Sequence, residues 1–80
     1  MRDRINAMDL FGHKPGELES DARLSELILA ATESELRIIS KFLTHCADEM
    51  KRMGETYDHI HLSDCEGQFK GSPHFVVVRK

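Results

Sequence analysis

The most regular apolar pattern of the chain lies between Thr32 and Gly54. At about 100° per residue, apolar side chains fall on one face of a helix and charged side chains on the other. Thr32 and Glu35 have the spacing of a capping box, and Gly54 can adopt the left-handed conformation that ends a helix. The apolar face comprises Leu36, Ile39, Leu43, Cys46, Ala47 and Met50, widened by Ile38, Phe42 and Met53. The pattern predicts a helix from about residue 32 to 53 that packs on a sheet.

A shorter alternating pattern follows the helix. In Tyr57–Leu62 apolar and polar residues alternate towards the end, which places Ile60 and Leu62 on one face of a strand and His59 and His61 on the other. This pattern is typical of a half-buried strand whose histidines lie on the face away from the core.

The last strand is predicted over Phe75–Val78, which has the β-branched content of a central strand. Residues 64–73 are rich in glycine and polar side chains and are predicted to form a loop that ends at Pro73. Arg79 and Lys80 supply charge that opposes edge-to-edge pairing.

Two further strands are predicted before the helix. Arg23–Ala31 lacks Gly and Pro, but Leu27–Leu29 is continuously apolar, so this strand is either covered on both faces near its end or bulged near Ser25 and Glu26. Upstream, residues 1–16 are interpreted as a peripheral edge strand and a turn, because Gly12–Gly16 favours reversal of the chain.

The order of these elements is β-β-α-β-β. The predicted architecture is α+β with two layers, a four-stranded, largely antiparallel sheet carrying the one long amphipathic helix on one face. With 80 residues and a mass of 9.2 kDa, residues 1–80 are expected to form a single small domain.

Composition narrows the function classes. Eleven Lys and Arg residues against 14 Asp and Glu residues give a net charge of -3, which argues against binding to nucleic acid or to an anionic membrane. The longest apolar run, Leu27–Ala31, is too short to span a bilayer, and residues 1–6 lack the pattern of a secretory signal, so the mature chain is expected to begin at Met1. The two cysteines, Cys46 and Cys65, are too few for a disulfide framework and favour a cytoplasmic location.

The most chemically distinctive residues are the histidines of the third strand. His59 and His61 are two apart, so their Cα atoms lie about 6–7 Å apart on one face, a separation from which two imidazoles can share a metal. His74 or Asp64 could supply a third ligand. However, zinc sites need three or four ligands with supporting hydrogen bonds, and the expectation is therefore no metal and no cofactor.

Catalytic motifs are absent from the sequence. Cys65, His61 and Asp64 could be named as a triad, but nothing places the thiol beside an imidazole or supplies oxyanion donors. There is no glycine-rich phosphate loop and no nucleophile elbow. The protein is therefore expected not to be an enzyme and to have no catalytic residues.

Several segments in order along the chain resemble one known family. The most specific are the helix ending in Ala47–Met50, the Asp58–Asp64 strand and the turn Gly71–Pro73. With them come Ser25–Ala31, Glu35–Arg37, Phe42–Leu43, Gly54–Glu55 and Phe75–Val78. Over roughly residues 24–79 the chain resembles the immunity protein 32 family, small α+β proteins of bacterial polymorphic toxin systems.

The resemblance implies inhibition of a cognate toxin by direct protein–protein binding in the cytoplasm. The candidate contact residues are Tyr57, Asp58, His59, His61 and Asp64. Two alternatives stay open: a metal-binding module built on His59, His61 and His74 or Asp64, and a structural or regulatory domain without a ligand. The protein is expected to be a monomer or a weak homodimer through an exposed sheet edge.

Overall fold

The structure, a computed structural model, describes residues 8–12 and 22–80. The Cα positions divide the chain into two compact units, Met1–Ala30 and Ala31–Lys80, and each is described by itself. The elements are β1 (Phe11–Gly12), β2 (Ala22–Arg23), α1 (Glu33–Met53), β3 (His59–His61), α2 (Leu62–Cys65) and β4 (Val76–Val78), with 3-10 turns at Gly54–Thr56 and Gly67–Phe69. The single domain over residues 1–80 stays a prediction.

The first unit contains a short antiparallel pair. β1 lies beside β2 with Phe11 opposite Arg23. The Arg23 guanidinium donates to Asp9 Oδ1 at 2.8 Å and lies 5.1 Å from the centre of the Phe11 ring, so one cation contacts both a carboxylate and an aromatic face. Of the predicted strand and turn over residues 1–16, residues 1–7 and 13–16 lie outside the described residues.

The strand predicted over Arg23–Ala31 was wrong. Strand β2 ends at Arg23, and residues 24–32 form no helix or strand. A strand requires backbone hydrogen bonds to a neighbouring strand. Among the described residues, residues 25–30 make none. The apolar side chains of this segment are exposed: Leu27 by 54%, Ile28 by 82% and Leu29 by 48%.

Helix α1 confirms the capping box. Thr32 Oγ1 accepts from the Glu35 N–H at 3.1 Å, and Glu35 Oε1 accepts from the Thr32 N–H at 2.8 Å. At the other end the Gly54 N–H donates to the Met50 carbonyl. Gly54 has the predicted positive φ, 59°, but its ψ of -130° lies outside the left-handed helical region. None of the helices in the described part of the chain could span a bilayer.

The cap gives a direct stability prediction. Replacing Thr32 by Ala removes the acceptor of the Glu35 N–H and should lower the free energy of unfolding by about 1 kcal/mol. Urea unfolding followed by circular dichroism measures this change. Thr44→Ala is the matched control, because Thr44 is exposed in the middle of α1 and Ala has the higher helix propensity. Equal destabilisation by both variants would contradict the capping role.

The second unit is built around α1 and one face of a small sheet. β3 and β4 are antiparallel, with His59 opposite Val78, Ile60 opposite Val77 and His61 opposite Val76. The α+β class is confirmed. Over residues 8–12 and 22–80 the strands form two two-stranded sheets, β1–β2 and β3–β4, and not the predicted four-stranded sheet. The core consists of the buried residues Ile39, Phe42, Cys46, Tyr57, Leu62 and Phe69. Ile38, Ile60, Phe75 and Val77 pack against it.

The buried stripe of α1 is narrower than the predicted apolar face. Ile39, Phe42 and Cys46 are buried, whereas Leu36 and Leu43 are 47% and 45% exposed. The physical reason is the width of the sheet. Two strands span only about 10 Å, about the width of one helix, so they cover only the stripe of α1 that faces them. The side of α1 that carries Leu36 and Leu43 is left uncovered in this unit.

Candidate functional site

The candidate site is the face of the β3–β4 sheet that points away from α1. Because side chains alternate along a strand and Ile60 and Val77 pack against the core, the neighbouring residues point the other way. We call this surface the outer face; it comprises His59, His61, Val76 and Val78. The structure confirms that the paired imidazoles are not enclosed beneath the helix.

The two imidazoles of the outer face form a row with a third, that of His74. The ring centres of His59 and His61 are 5.1 Å apart at an interplanar angle of 79°, and those of His61 and His74 are 5.7 Å apart at 78°. Both contacts are edge-to-face, the arrangement that aromatic pairs favour. The side chains of His59 and His61 are 44% and 31% exposed, so the row is accessible.

Two carboxylates border the row. Asp58 Oδ2 lies 2.5 Å from His59 Nδ1, and Asp64 Oδ2 lies 4.0 Å from His61 Nδ1. A carboxylate only accepts hydrogen bonds, so in this contact the N–H at Nδ1 of His59 donates to Asp58. Both Asp side chains are largely exposed, and they add negative charge to an aromatic and apolar surface.

Tyr57, the fifth sequence-predicted contact residue, lies in the core. It is 5% exposed, and its hydroxyl donates to the Val77 carbonyl at 2.8 Å. Burial, with Cys46 beside it, raises the pKa of Tyr57 to about 12, so the hydroxyl stays protonated at neutral pH. Tyr57, which follows the 3-10 turn after α1, is therefore bonded to β4 and presents no surface to a partner.

The segment after β3 holds Asp64 in place. The N–H of Leu62 donates to the Phe75 carbonyl at 2.9 Å, and its side chain is buried, so the chain turns into α2 at the edge of the sheet. Phe69 is the buried anchor of the next turn. Residues 64–73 were predicted to be a loop, but they include the end of α2 and a 3-10 turn, because Leu62 and Phe69 fix both to the core.

Sequence reasoning missed a shallow groove between α1 and α2. It has a volume of about 310 Å³ and is lined by Lys41, Phe42, His45, Cys65 and Glu66. The signal was weak because α2 is only four residues long and lies within a polar, glycine-rich stretch. The Cys65 thiol is free and exposed there, whereas Cys46 is buried, and burial raises the pKa of its thiol.

The geometry of the described residues provides no set of ligands for the metal-binding hypothesis. Among residues 8–12 and 22–80, no group of three or more His, Cys, Asp or Glu side chains is placed to hold a metal ion. We expect zinc titration by calorimetry to give weak heats that are the same for the wild type and for His59→Ala/His61→Ala. Micromolar or tighter binding that disappears in the double variant would contradict this expectation.

The structure defines a small α+β protein with an accessible outer face, and the comparisons with known proteins agree with this class. The family described as immunity protein 32 matches residues 26–80, which include α1, β3, α2 and β4. The chain belongs to the immunity protein 32 family. Searches of curated proteins and of solved structures gave no match. Membership suggests a non-catalytic role and a protein partner.

Proposed function

We propose that this protein neutralises a cognate bacterial toxin by binding it directly through the outer face. The single observation that carries the proposal is that the part of the chain matched by the immunity protein family is the part that builds this face. The contact residues are Asp58, His59, His61 and Asp64. Tyr57 supports them from the core through its bond to β4.

The composition of the outer face supports protein recognition. Interfaces favour rigid aromatic anchors next to apolar side chains, and the imidazole row lies beside Val76 and Val78. Asp58 and Asp64 at its border would complement a basic toxin surface, in keeping with the net charge of -3. The partner is therefore expected to be basic and not to be a nucleic acid or a membrane.

The inhibition would be stoichiometric. Binding that covers or distorts an active surface needs no catalysis, metal or cofactor from the immunity protein, so one copy would silence one toxin. We place the complex in the cytoplasm, where a free, exposed thiol such as that of Cys65 stays reduced.

Co-expression tests the proposal. The product of the neighbouring reading frame should arrest growth when it is produced alone, and co-production of this protein should restore growth. A tag on either chain should then co-purify both in equal amounts. Growth arrest that persists despite equal expression, with no complex recovered, would contradict the proposal.

A further inference from the structure

The imidazole row, His59, His61 and His74, is a cluster of titratable groups on an exposed surface. Its ring centres follow one another at 5.1 and 5.7 Å, and each of the three side chains is at least partly exposed. Histidine is the residue whose charge ordinarily changes between pH 5 and 8. The row can therefore gain up to three positive charges on one small surface within that pH range.

Negative charge borders the row at two of its rings. The Asp58 carboxylate contacts His59, and Asp64 Oδ2 lies 4.0 Å from Nδ1 of His61. Strand β4 contributes the uncharged side chains of two valines to the same face. Carboxylates ordinarily stay ionised above pH 5, so the border stays negative while the charge of the row changes.

Two cations follow β4 along the chain. Arg79 donates to the Met50 carbonyl of α1 at 3.3 Å, so its guanidinium lies on the helix side of the sheet. Lys80 comes directly after it. Arginine and lysine ordinarily keep their charges between pH 5 and 8, so among all these groups only the imidazoles change charge in that range.

Covering the row with a partner makes its charge state more important. Two like charges repel each other about fourfold more strongly in a protein environment with an effective dielectric constant of about 20 than in water. An interface that excludes water from a protonated row would hold positive charges on rings whose centres are 5.1 and 5.7 Å apart. Neutral imidazoles can be buried as aromatic anchors without this repulsion.

We infer that the imidazole row makes toxin binding pH-sensitive: the neutral row binds the toxin, and protonation of the row below about pH 6 releases it. The inference rests on the proposed function and adds its regulation. At low pH the free protein holds more protons than the complex, so a fall in pH favours the free protein. The added positive charge also opposes binding to a basic toxin surface.

Calorimetric titration of the purified product of the neighbouring reading frame, at pH 7.5 and 5.5 and one ionic strength, tests the release. The Kd of the wild type should be at least about tenfold higher at pH 5.5 than at pH 7.5. This ratio should be several-fold smaller in His59→Gln/His61→Gln/His74→Gln, whose glutamines take up no proton. His45→Gln is the matched control and should keep the wild-type ratio. Because ratios are compared, neither a uniform loss of affinity nor titration of groups on the toxin can produce the difference.

The results distinguish the pH effect from binding itself. Binding at pH 7.5 with a ratio near one, or with the same ratio in the triple variant, overturns the pH sensitivity and leaves the proposed function standing. No binding at either pH overturns both. Circular dichroism at pH 5.5 should show the native helix content, since unfolding at that pH would also overturn release by the row.

NMR spectroscopy of the free protein between pH 8 and 5 tests the row without a toxin. All three imidazoles should take up protons, and His61→Gln should shift the titration curves of His59 and His74, because it removes the charge that lies between them. His45→Gln should leave both curves in place. A row that stays neutral down to pH 5, or curves that do not respond to His61→Gln, would overturn the inference.

Discussion

Phe42→Ala should reduce the free energy of unfolding by about 3–5 kcal/mol, the range for a buried Phe replaced by Ala. Phe42 is 4% exposed, and its ring meets Phe75 edge-to-face at 6.1 Å between centres, so truncation removes the contact that joins α1 to the start of β4. A domain of this size has only a few kcal/mol of stability. The variant should be largely unfolded at 37 °C.

Leu43→Ala provides the control for Phe42→Ala. It is the next residue along α1 and is 45% exposed, so its truncation should cost well under half as much. Thermal unfolding by circular dichroism compares the two variants directly. If Leu43→Ala proved as destabilising as Phe42→Ala, the helix would be packed on a different face from the one described.

The second large effect concerns the outer face. His59→Ala/His61→Ala should weaken the toxin complex by about 30-fold or more, because truncating central aromatic anchors commonly costs at least about 2 kcal/mol. Both side chains point away from the core, so the free energy of unfolding should change by less than about 1 kcal/mol. Calorimetric titration of the purified toxin measures the affinity, and urea unfolding checks the fold.

A matched histidine makes this comparison sharp. His45 is exposed on α1 and lines the groove between α1 and α2. His45→Ala removes the same side chain from a different surface and should leave the affinity unchanged. Strong loss of binding in His45→Ala, with normal binding by the double variant, would show that the toxin contacts the groove and not the outer face.

The helix and the last two strands could be predicted because local chemistry determines them. Thr32 and Glu35 satisfy each other's backbone N–H groups regardless of the rest of the fold. The alternation around Ile60 placed the histidines on the correct face, because a one-residue change of register would bury them. These features depend on neighbours within a few residues.

Features that depend on distant neighbours were not predictable from the pattern. The segment Leu27–Leu29 has the composition of a strand, but a strand forms only beside another strand with an open edge. The local sequence pattern does not show whether such a neighbour is available. Tyr57 adjoins the histidines in sequence, yet its hydroxyl finds the Val77 carbonyl 20 residues away, which draws the ring into the core. Leu36 and Leu43 fit the apolar face of the helix, but the width of the sheet decides which leucines are covered.

Modification of the histidines in the free and toxin-bound protein tests the central claim most directly. Diethyl pyrocarbonate acylates accessible imidazoles, and mass spectrometry measures each site separately. Binding by the outer face predicts that His59 and His61 react slowly in the complex while His45 reacts as in the free protein. Unchanged reaction at His59 and His61 in a complex that fully protects His45 would show that the toxin binds elsewhere.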